Sequence, residues 1–358
     1  MNIDRHDNNP IITTSDIEPS RSDFKVDGVF NAAATKYGDE IILLLRVAES
    51  LKETLADEVT YPVLEQDEDG NDTLVIKTIN KVREREHYDF SDARVIYDRS
   101  KKRKTVALTS ISHLRLARSK DGVHFEIDQK PTIFPQGKYE TWGIEDPRIT
   151  QIEGVYYINY TAVSPLGAGT ALIKTTDFIT FERVGLIFPP ENKDVSLFPE
   201  KINGKYVAYH RPVPNAFGNP DIWLATSPDL ISWGEHKHLL SVQEEGWENG
   251  RIGGGAPSFK NDKGWIHIYH AADHNNRYCL GAFITDINDP SKIIAKTNKP
   301  ILEPEALYEV EGFFGNVVFT CGVINEHDKV KIYYGASDEV MALAEIGIEE
   351  IYDALGIN

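Results

Sequence analysis

Asp146 and Arg148 are separated by a single proline in the stretch Trp142-Gly143-Ile144-Glu145-Asp146-Pro147-Arg148-Ile149. The pair would set an acid and an anion-binding guanidinium fork a few ångströms apart, a combination suited to chemistry on a polar substrate. Pro147 lacks the N–H that a sheet ladder uses, so the stretch is expected to begin or border a strand rather than run through the middle of one. Glu145, Glu200, Glu311 and Asp338 are the other acids at expected inner-strand positions. The basic residues gather elsewhere. Lys193, Lys201, His210 and Arg211 fall within one segment, His270 ends the inner strands of the next, and Arg46 ends the matching strand near the N-terminus.

Cleaving a glycoside requires an acid for the leaving oxygen and a nucleophile that attacks the anomeric carbon from the opposite face. Water as nucleophile needs a carboxylate to activate it, whereas inorganic phosphate is already nucleophilic and needs cations to hold it. Several cations aimed at one channel, in a chain of net charge −18, favour phosphate. Salt bridges from the same cations to Asp194 and Glu200 are the competing explanation. Trp142 and Phe313 flank polar residues at expected channel ends and are the aromatics expected to face a sugar.

The elements that must position these groups are strands. Segments 41–47, 155–160, 265–270 and 330–334 are short, rich in β-branched and aromatic residues, and bounded by Gly, Asp or Asn. Only 345–355 reads as a helix. A repeat organises the strands. Its first half recurs from Phe30-Asn31-Ala32-Ala33, Gly143-Ile144-Glu145-Asp146-Pro147, Leu197-Phe198-Pro199-Glu200-Lys201, Gly254-Gly255-Ala256-Pro257 and Gly315-Asn316-Val317-Val318. In its second half, Ser119, Thr175 and Ser227 each precede an aspartate, Asp121, Asp177 and Asp229, with Phe125, Phe181 and Trp233 following; Gly281 to Asp286 is a weaker fourth copy. Copies lie roughly 50 to 60 residues apart, the size of a four-stranded propeller blade with its loops. The expected fold is therefore all-β, a five-bladed β-propeller.

In such a fold the first strand of each blade lines the channel, so Asn31, Asp146, Glu200 or Lys201, Pro257 and Asn316 are expected to converge at its mouth. Residues 51–87 stand outside the repeat and carry the acidic run Glu65-Gln66-Asp67-Glu68-Asp69-Gly70. They read either as a solvated hairpin or as an arm that covers the site or packs on a second subunit. The expected organisation is one domain, 1–358, with an inserted arm at 51–87.

The acidic balance argues against nucleic acid or an anionic membrane as partner, since both reward a basic face. No apolar run approaches the roughly 20 residues of a membrane span, and the first ten residues hold no signal-peptide core, so the cytoplasm is the expected compartment. Cys279 and Cys321 are too few for a disulfide framework or a cysteine zinc site, and no metal is expected.

Further motifs join these: Val29-Phe30-Asn31-Ala32, Leu43-Leu44-Leu45-Arg46-Val47-Ala48-Glu49, His210-Arg211-Pro212, Gly253-Gly254-Gly255-Ala256-Pro257, Gly315-Asn316-Val317-Val318-Phe319 and Tyr334-Gly335-Ala336-Ser337-Asp338. Together with the Asp146 stretch they resemble glycoside hydrolase family 130, the mannoside phosphorylases and related mannosidases on a five-bladed propeller. The resemblance spans essentially the whole chain. It implies that Asp146 is the proton donor, in some members acting through a mannose hydroxyl, and that Asp338 binds hydroxyls of the same mannose. It places Asn31, Arg46 and Arg148 around that subsite, and Lys193, His210, Arg211 and His270 on phosphate.

The implied reaction is inverting phosphorolysis of a β-mannoside to α-mannose 1-phosphate, with inorganic phosphate as co-substrate and no other cofactor. Asn8-Asn9-Pro10-Ile11-Ile12-Thr13, the insertion after Glu49 and the run from Leu108 to Ala117 are most similar to the branch acting on β-1,2-mannobiose and β-1,2-oligomannan. The alternatives are a β-1,2-mannosidase on the same fold, or a phosphorylase of another β-mannosidic linkage. The implied partners are a β-mannoside oligosaccharide and phosphate, and homo-oligomerisation is left open.

Overall fold

The computed structural model describes residues 3–100, 104–214 and 216–357. The all-β expectation holds. Among the described residues, five antiparallel groups of four strands follow one another along the chain. The first comprises Phe24–Tyr37, Glu40–Leu51, Ile111–Ser119 and Glu126–Ile127, and the second Gly143–Ile152, Val155–Ser164, Gly167–Thr175 and Glu182–Phe188. Asn192–Leu197, Tyr206–Pro212, Ile222–Ser227 and Gly234–Leu240 form the third. The fourth contains Arg251–Gly254, Trp265–Ala272, Tyr278–Thr285 and Ile293–Lys296. Val318–Glu326, Lys329–Ala336 and Val340–Gly347 make the fifth, whose outer strand is the N-terminal Asp4–Arg5.

The repeated Ser/Thr-x-Asp signature has a local cause. Asp121 accepts backbone N–H bonds from Val123 and His124, Asp177 from Ile179 and Thr180, and Asp229 from Ile231 and Ser232. The Ser119, Thr175 and Ser227 hydroxyls bond the same carboxylates from two residues upstream. Each aspartate thereby ends a third strand and turns the chain toward the fourth. Within the second group, Glu153 and Gly154 both have positive φ, 51° and 85°, the two-residue turn that matches strand twist.

Apolar residues of each group pack against those of the next. Leu44 and Leu116 meet Ile144 and Ile158; Leu172 and Phe188 meet Val195 and Leu197; Phe198 and Tyr209 meet Trp265 and Phe283. Ile268 and Leu280 meet Ile332 and Tyr334, and Tyr333 and Leu343 return to Val29 and Leu43 of the first group. Each such side chain contributes about 1.5–3 kcal/mol on burial.

The chain leaves this pattern after Leu51 and rejoins it at Ile111. Glu58–Gln66 pairs with Asp72–Asn80, and Tyr88–Asp92, Val95–Asp98 and Lys104–Leu108 form a second small sheet. The excursion therefore continues beyond residue 87. It is also tied to the body rather than solvated all round: the Leu64 N–H donates to the Thr141 carbonyl, the Gly137 N–H donates to Asp72, and Val63, Leu64 and Ile96 are buried. The helix read at 345–355 occupies Ile348–Leu355 and stops at Gly356, whose φ is +70°. A four-residue helix at Leu307–Val310 had no sequence signal. Cys279 and Cys321 are buried and unpaired with each other.

Candidate active site

Three of the first strands carry the same irregularity. The register shifts between Phe30 and Ala33, between Glu145 and Arg148, and between Lys193 and Ser196. Within these bulges Asn31, Asp146 and Asp194 have φ of 50°, 49° and 55°. A left-handed non-glycine residue costs on the order of 1–3 kcal/mol, and short Asn or Asp side chains tolerate it best. The bulge re-aims each side chain and gathers all three at one end of the strands. Pro147 thus lies inside the Gly143–Ile152 strand rather than at its start, because the bulge asks no ladder bond of it.

These residues face a cavity of about 320 Å³, which is also lined by Arg46, Lys193, Arg211, His270, Phe313 and Asp338. Asp146 Oδ1 accepts from Asn31 Nδ2 and from Arg46 Nη1, both at 2.9 Å, while Oδ2 accepts no bond among the described residues. Arg46 also donates to Glu145 Oε1 at 2.9 Å and lies over the Phe30 ring. Burial opposes ionisation of Asp146, but Arg46, Lys193, Arg148 and the Asn31 bond outweigh it and hold the carboxyl below its usual range. Asp338 differs. Burial pushes it up to about 6, assisted by the negative charges of Asp146 and Glu145 and only partly offset by Arg46 and Arg94.

The basic side of the cavity is built around Asp194. Its Oδ2 accepts from Arg211 Nε at 2.8 Å, lies 2.6 Å from Arg211 Nη2 in the same ion pair, and lies 3.1 Å from His270 Nε2. The more distant Arg148 Nη2 lies 3.4 Å from Oδ1. Burial opposes the charge on Asp194, yet Arg211, His270 and Arg148 hold it well below the usual carboxylate range. Gly253 permits this packing, since a Cβ there would come within 2.5 Å of Asp194 Oδ2 and 2.6 Å of His270 Nε2. Lys193 lines the same cavity and forms no ion pair among the described residues.

Several residues expected at the site, Asn316 among them, do not line the cavity. Arg148 is buried beneath it and donates to the carbonyls of Asp146, Gly254 and Gly255, which tie the second group to the fourth. Trp142 is buried before its strand, with its N–H on the Val163 carbonyl. His210 is stacked on Phe188 and bonded to Asn192 and His236; burial, with His236 nearby, pushes its pKa down to about 3, so it offers no positive charge at neutral pH. Glu200 and Lys201 are also elsewhere, paired with Lys260 and Glu153 near the surface. Pro257 lines a different cavity.

The sequence reading had Asp194 only as a salt-bridge partner competing with phosphate, and the pairs to Arg211 and His270 do form; it did not place Asp194 in the cavity, and it missed Arg94. Asp194 had an available signal, because Asn31, Asp146 and Asp194 are the Asn or Asp residues of successive first strands. Arg94, from the second sheet of the arm, lines the cavity with Val95, Leu108 and Ser110, paired to Asp92 and stacked 3.9 Å from the Phe314 ring centroid. No group of three or more His, Cys, Asp or Glu able to hold a metal occurs among the described residues.

Comparison with known proteins gives the same family as the motifs. Residues 91–356 match the glycoside hydrolase family 130 model, described as β-1,4-mannooligosaccharide phosphorylase. The chain belongs to that family. It is 46% identical to a β-1,2-mannobiose phosphorylase of Listeria innocua, covering 100% of this chain and 99% of that protein. A 1,2-β-oligomannan phosphorylase of Thermoanaerobacter is 45% identical over 67% of this chain and 80% of its own length. The crystal structure of the Listeria innocua enzyme with β-1,2-mannobiose superposes with a TM-score of 0.95 over 100% of both chains.

Proposed function

We propose that this family member catalyses inverting phosphorolysis of β-1,2-mannobiose or short β-1,2-mannooligosaccharides. The products are α-mannose 1-phosphate and mannose or a shortened chain. One observation carries the reading: a carboxylate with an open oxygen, Asp146, shares its cavity with a cation cluster that includes Lys193, which forms no ion pair among the described residues. A hydrolase would need a second carboxylate to activate water. Glu145 is tied to Arg46 and Asp194 to Arg211, and the remaining cavity carboxyl, Asp338, is the one we assign to the mannose hydroxyls.

Phosphate, held by Lys193, Arg211 and His270, attacks the anomeric carbon while the proton held through Asp146 Oδ2 goes to the leaving oxygen, directly or across a mannose hydroxyl. Lys193 is one of the charges that hold Asp146 ionised. A bound phosphate offsets that charge, raises the affinity of Asp146 for a proton and so prepares the acid. Asn31 and Arg46 orient Asp146, and Asp338 and Phe313 hold the mannose. Phosphate is the co-substrate, and the residues in the cavity ask for no further cofactor.

The linkage rests on the full-length resemblance to the Listeria innocua enzyme; the family description favours β-1,4 as the second reading. We read the five groups, each sharing a core with the next and the last with the first, as a five-bladed propeller in one domain carrying an inserted arm. No helix among the described residues is long and apolar enough to cross a membrane, and the cytoplasm is the compartment we assign. The test is incubation with β-1,2-mannobiose or β-1,4-mannobiose, with and without phosphate, followed by anomer-resolved analysis. Phosphate-dependent α-mannose 1-phosphate from the β-1,2 substrate is expected. Free mannose at equal rates with and without phosphate would make the chain a hydrolase.

A further inference from the structure

Asp194 meets both Arg211 and His270 through one oxygen. Oδ2 takes both Nε and Nη2 of Arg211, a side-on grip on one edge of the guanidinium. Nη1 makes no bond to the chain among the described residues, and Arg211 lines the cavity. The same Oδ2 lies 3.1 Å from His270 Nε2. Burial holds His270 below its usual pKa despite the contact with Asp194, which favours the neutral ring; because an ionised carboxylate can only accept, that ring carries its proton on Nε2 and keeps a lone pair on Nδ1. His270 Nδ1 is buried and has no partner among the described residues.

We propose that Asp194 is the positioning residue of the anion site, fixing both the presented edge of Arg211 and the tautomer of His270 so that the pair recognises a protonated tetrahedral oxyanion. The inference rests on the phosphate reading above and deepens it. At neutral pH inorganic phosphate carries at least one P–OH. That hydroxyl donates to His270 Nδ1, while an unprotonated oxygen accepts from Arg211 Nη1. Arsenate meets the same description. Sulfate has the shape but no hydroxyl to donate, so it leaves Nδ1 facing an oxygen lone pair. Asp194 is a counter-charge to phosphate, and its net effect is nonetheless favourable because it directs the groups that bind it.

The test measures KM for phosphate at saturating β-1,2-mannobiose, KM for mannobiose at saturating phosphate, and competitive inhibition by sulfate and arsenate. Asn in place of Asp194 offers one acceptor and a donor that opposes Arg211. In Asp194→Asn, KM for phosphate is expected to rise at least ~10-fold, the scale of losing charge-assisted bonds. KM for mannobiose should change less, within about threefold, since Asp194 reaches the acid side only through Arg148, whose Nη2 lies 3.4 Å from Oδ1. Preference for arsenate over sulfate should be strong in the native protein and shrink in the variant, a change that a merely structural role would not produce. An unchanged or lowered KM for phosphate would overturn the proposal, the lowered value meaning that Asp194 acts only as a competing anion.

Should Asp194→Asn fail to fold, Arg211→Lys decides. It keeps the charge but cannot be gripped side-on, so KM for phosphate should again rise at least ~10-fold; no rise overturns the assignment. Loss of phosphate dependence in the native protein would instead sink the phosphorylase reading, and this one with it. Phosphate-dependent turnover with Asp194→Asn unaffected sinks this one alone.

Discussion

Asp146 and Asp194 occupy the same bulge in successive groups, with φ of 49° and 55°, and have opposite surroundings. Asp146 keeps one oxygen open to the cavity, whereas Asp194 spends its charge on Arg211, His270 and Arg148. One backbone device thus serves twice, once to leave a carboxylate oxygen open to the cavity and once to gather Arg211, His270 and Arg148 around a second carboxylate. Bulge and residue type do not set the role. What sets it is how many donors the neighbouring strands aim at the carboxylate.

The contrast can be broken most directly at its open end. Asp146→Asn should leave melting temperature near the native value and lower kcat by on the order of 10² or more, the scale of losing a general acid; near-native turnover would take Asp146 out of the role. Arg211→Ala should raise KM for phosphate at least ~10-fold with a smaller change in KM for mannobiose, because it removes a charge-assisted donor from one side only. Equal changes in both constants would erase the two-sided division.

A third test uses pH. Asp338 has its folded pKa raised to about 6, so the stability that burial of its neutral form contributes is full below the ordinary carboxylate range and lost as pH rises through 6. Asp338→Asn should therefore gain on the native protein, by on the order of 2 kcal/mol, in urea unfolding at pH 7 but not at pH 4. Parallel curves at both pH values would mean that Asp338 is already ionised when folded. The smallest effect belongs to Lys201→Ala. Its side chain pairs with Glu153 away from the cavity, so both KM values and kcat should match the native protein in steady-state assays. A phosphate defect there would restore Lys201 to the site.

Much of the site was legible because its signals are local. Asp146, Asn31 and Arg46 belong to short runs whose types and order survive any uncertainty in register, and the Ser/Thr-x-Asp turns show how a repeated side-chain bond leaves a repeated spelling. The sequence aligns the third copy on Leu197-Phe198-Pro199-Glu200-Lys201, where Pro199 resembles Pro147. The true counterpart, Lys193-Asp194, has no proline and lies six residues earlier.

Arg148 illustrates a different limit. Two residues along a regular strand would put it beside the Asp146 carboxylate, but the bulge between Glu145 and Arg148 breaks that period and sends the guanidinium into backbone carbonyls. His210 and Arg211 are neighbours in sequence and go to opposite faces of one strand, so only one of them could reach the cavity. The second sheet of the arm reads as ordinary polar strands, and nothing in its composition tells that Arg94 reaches across to Phe314.

The sharing of cores between successive groups has a consequence for how the chain comes to be folded. No group owns an interior: Val29 and Leu43 of the first are covered only when Tyr333 and Leu343 of the fifth arrive, some three hundred residues later in synthesis. A growing chain must therefore carry an exposed apolar flank until it is almost finished, sticky to its neighbours throughout. Its safe maturation depends less on how fast any one sheet assembles than on how soon the final one closes over the first.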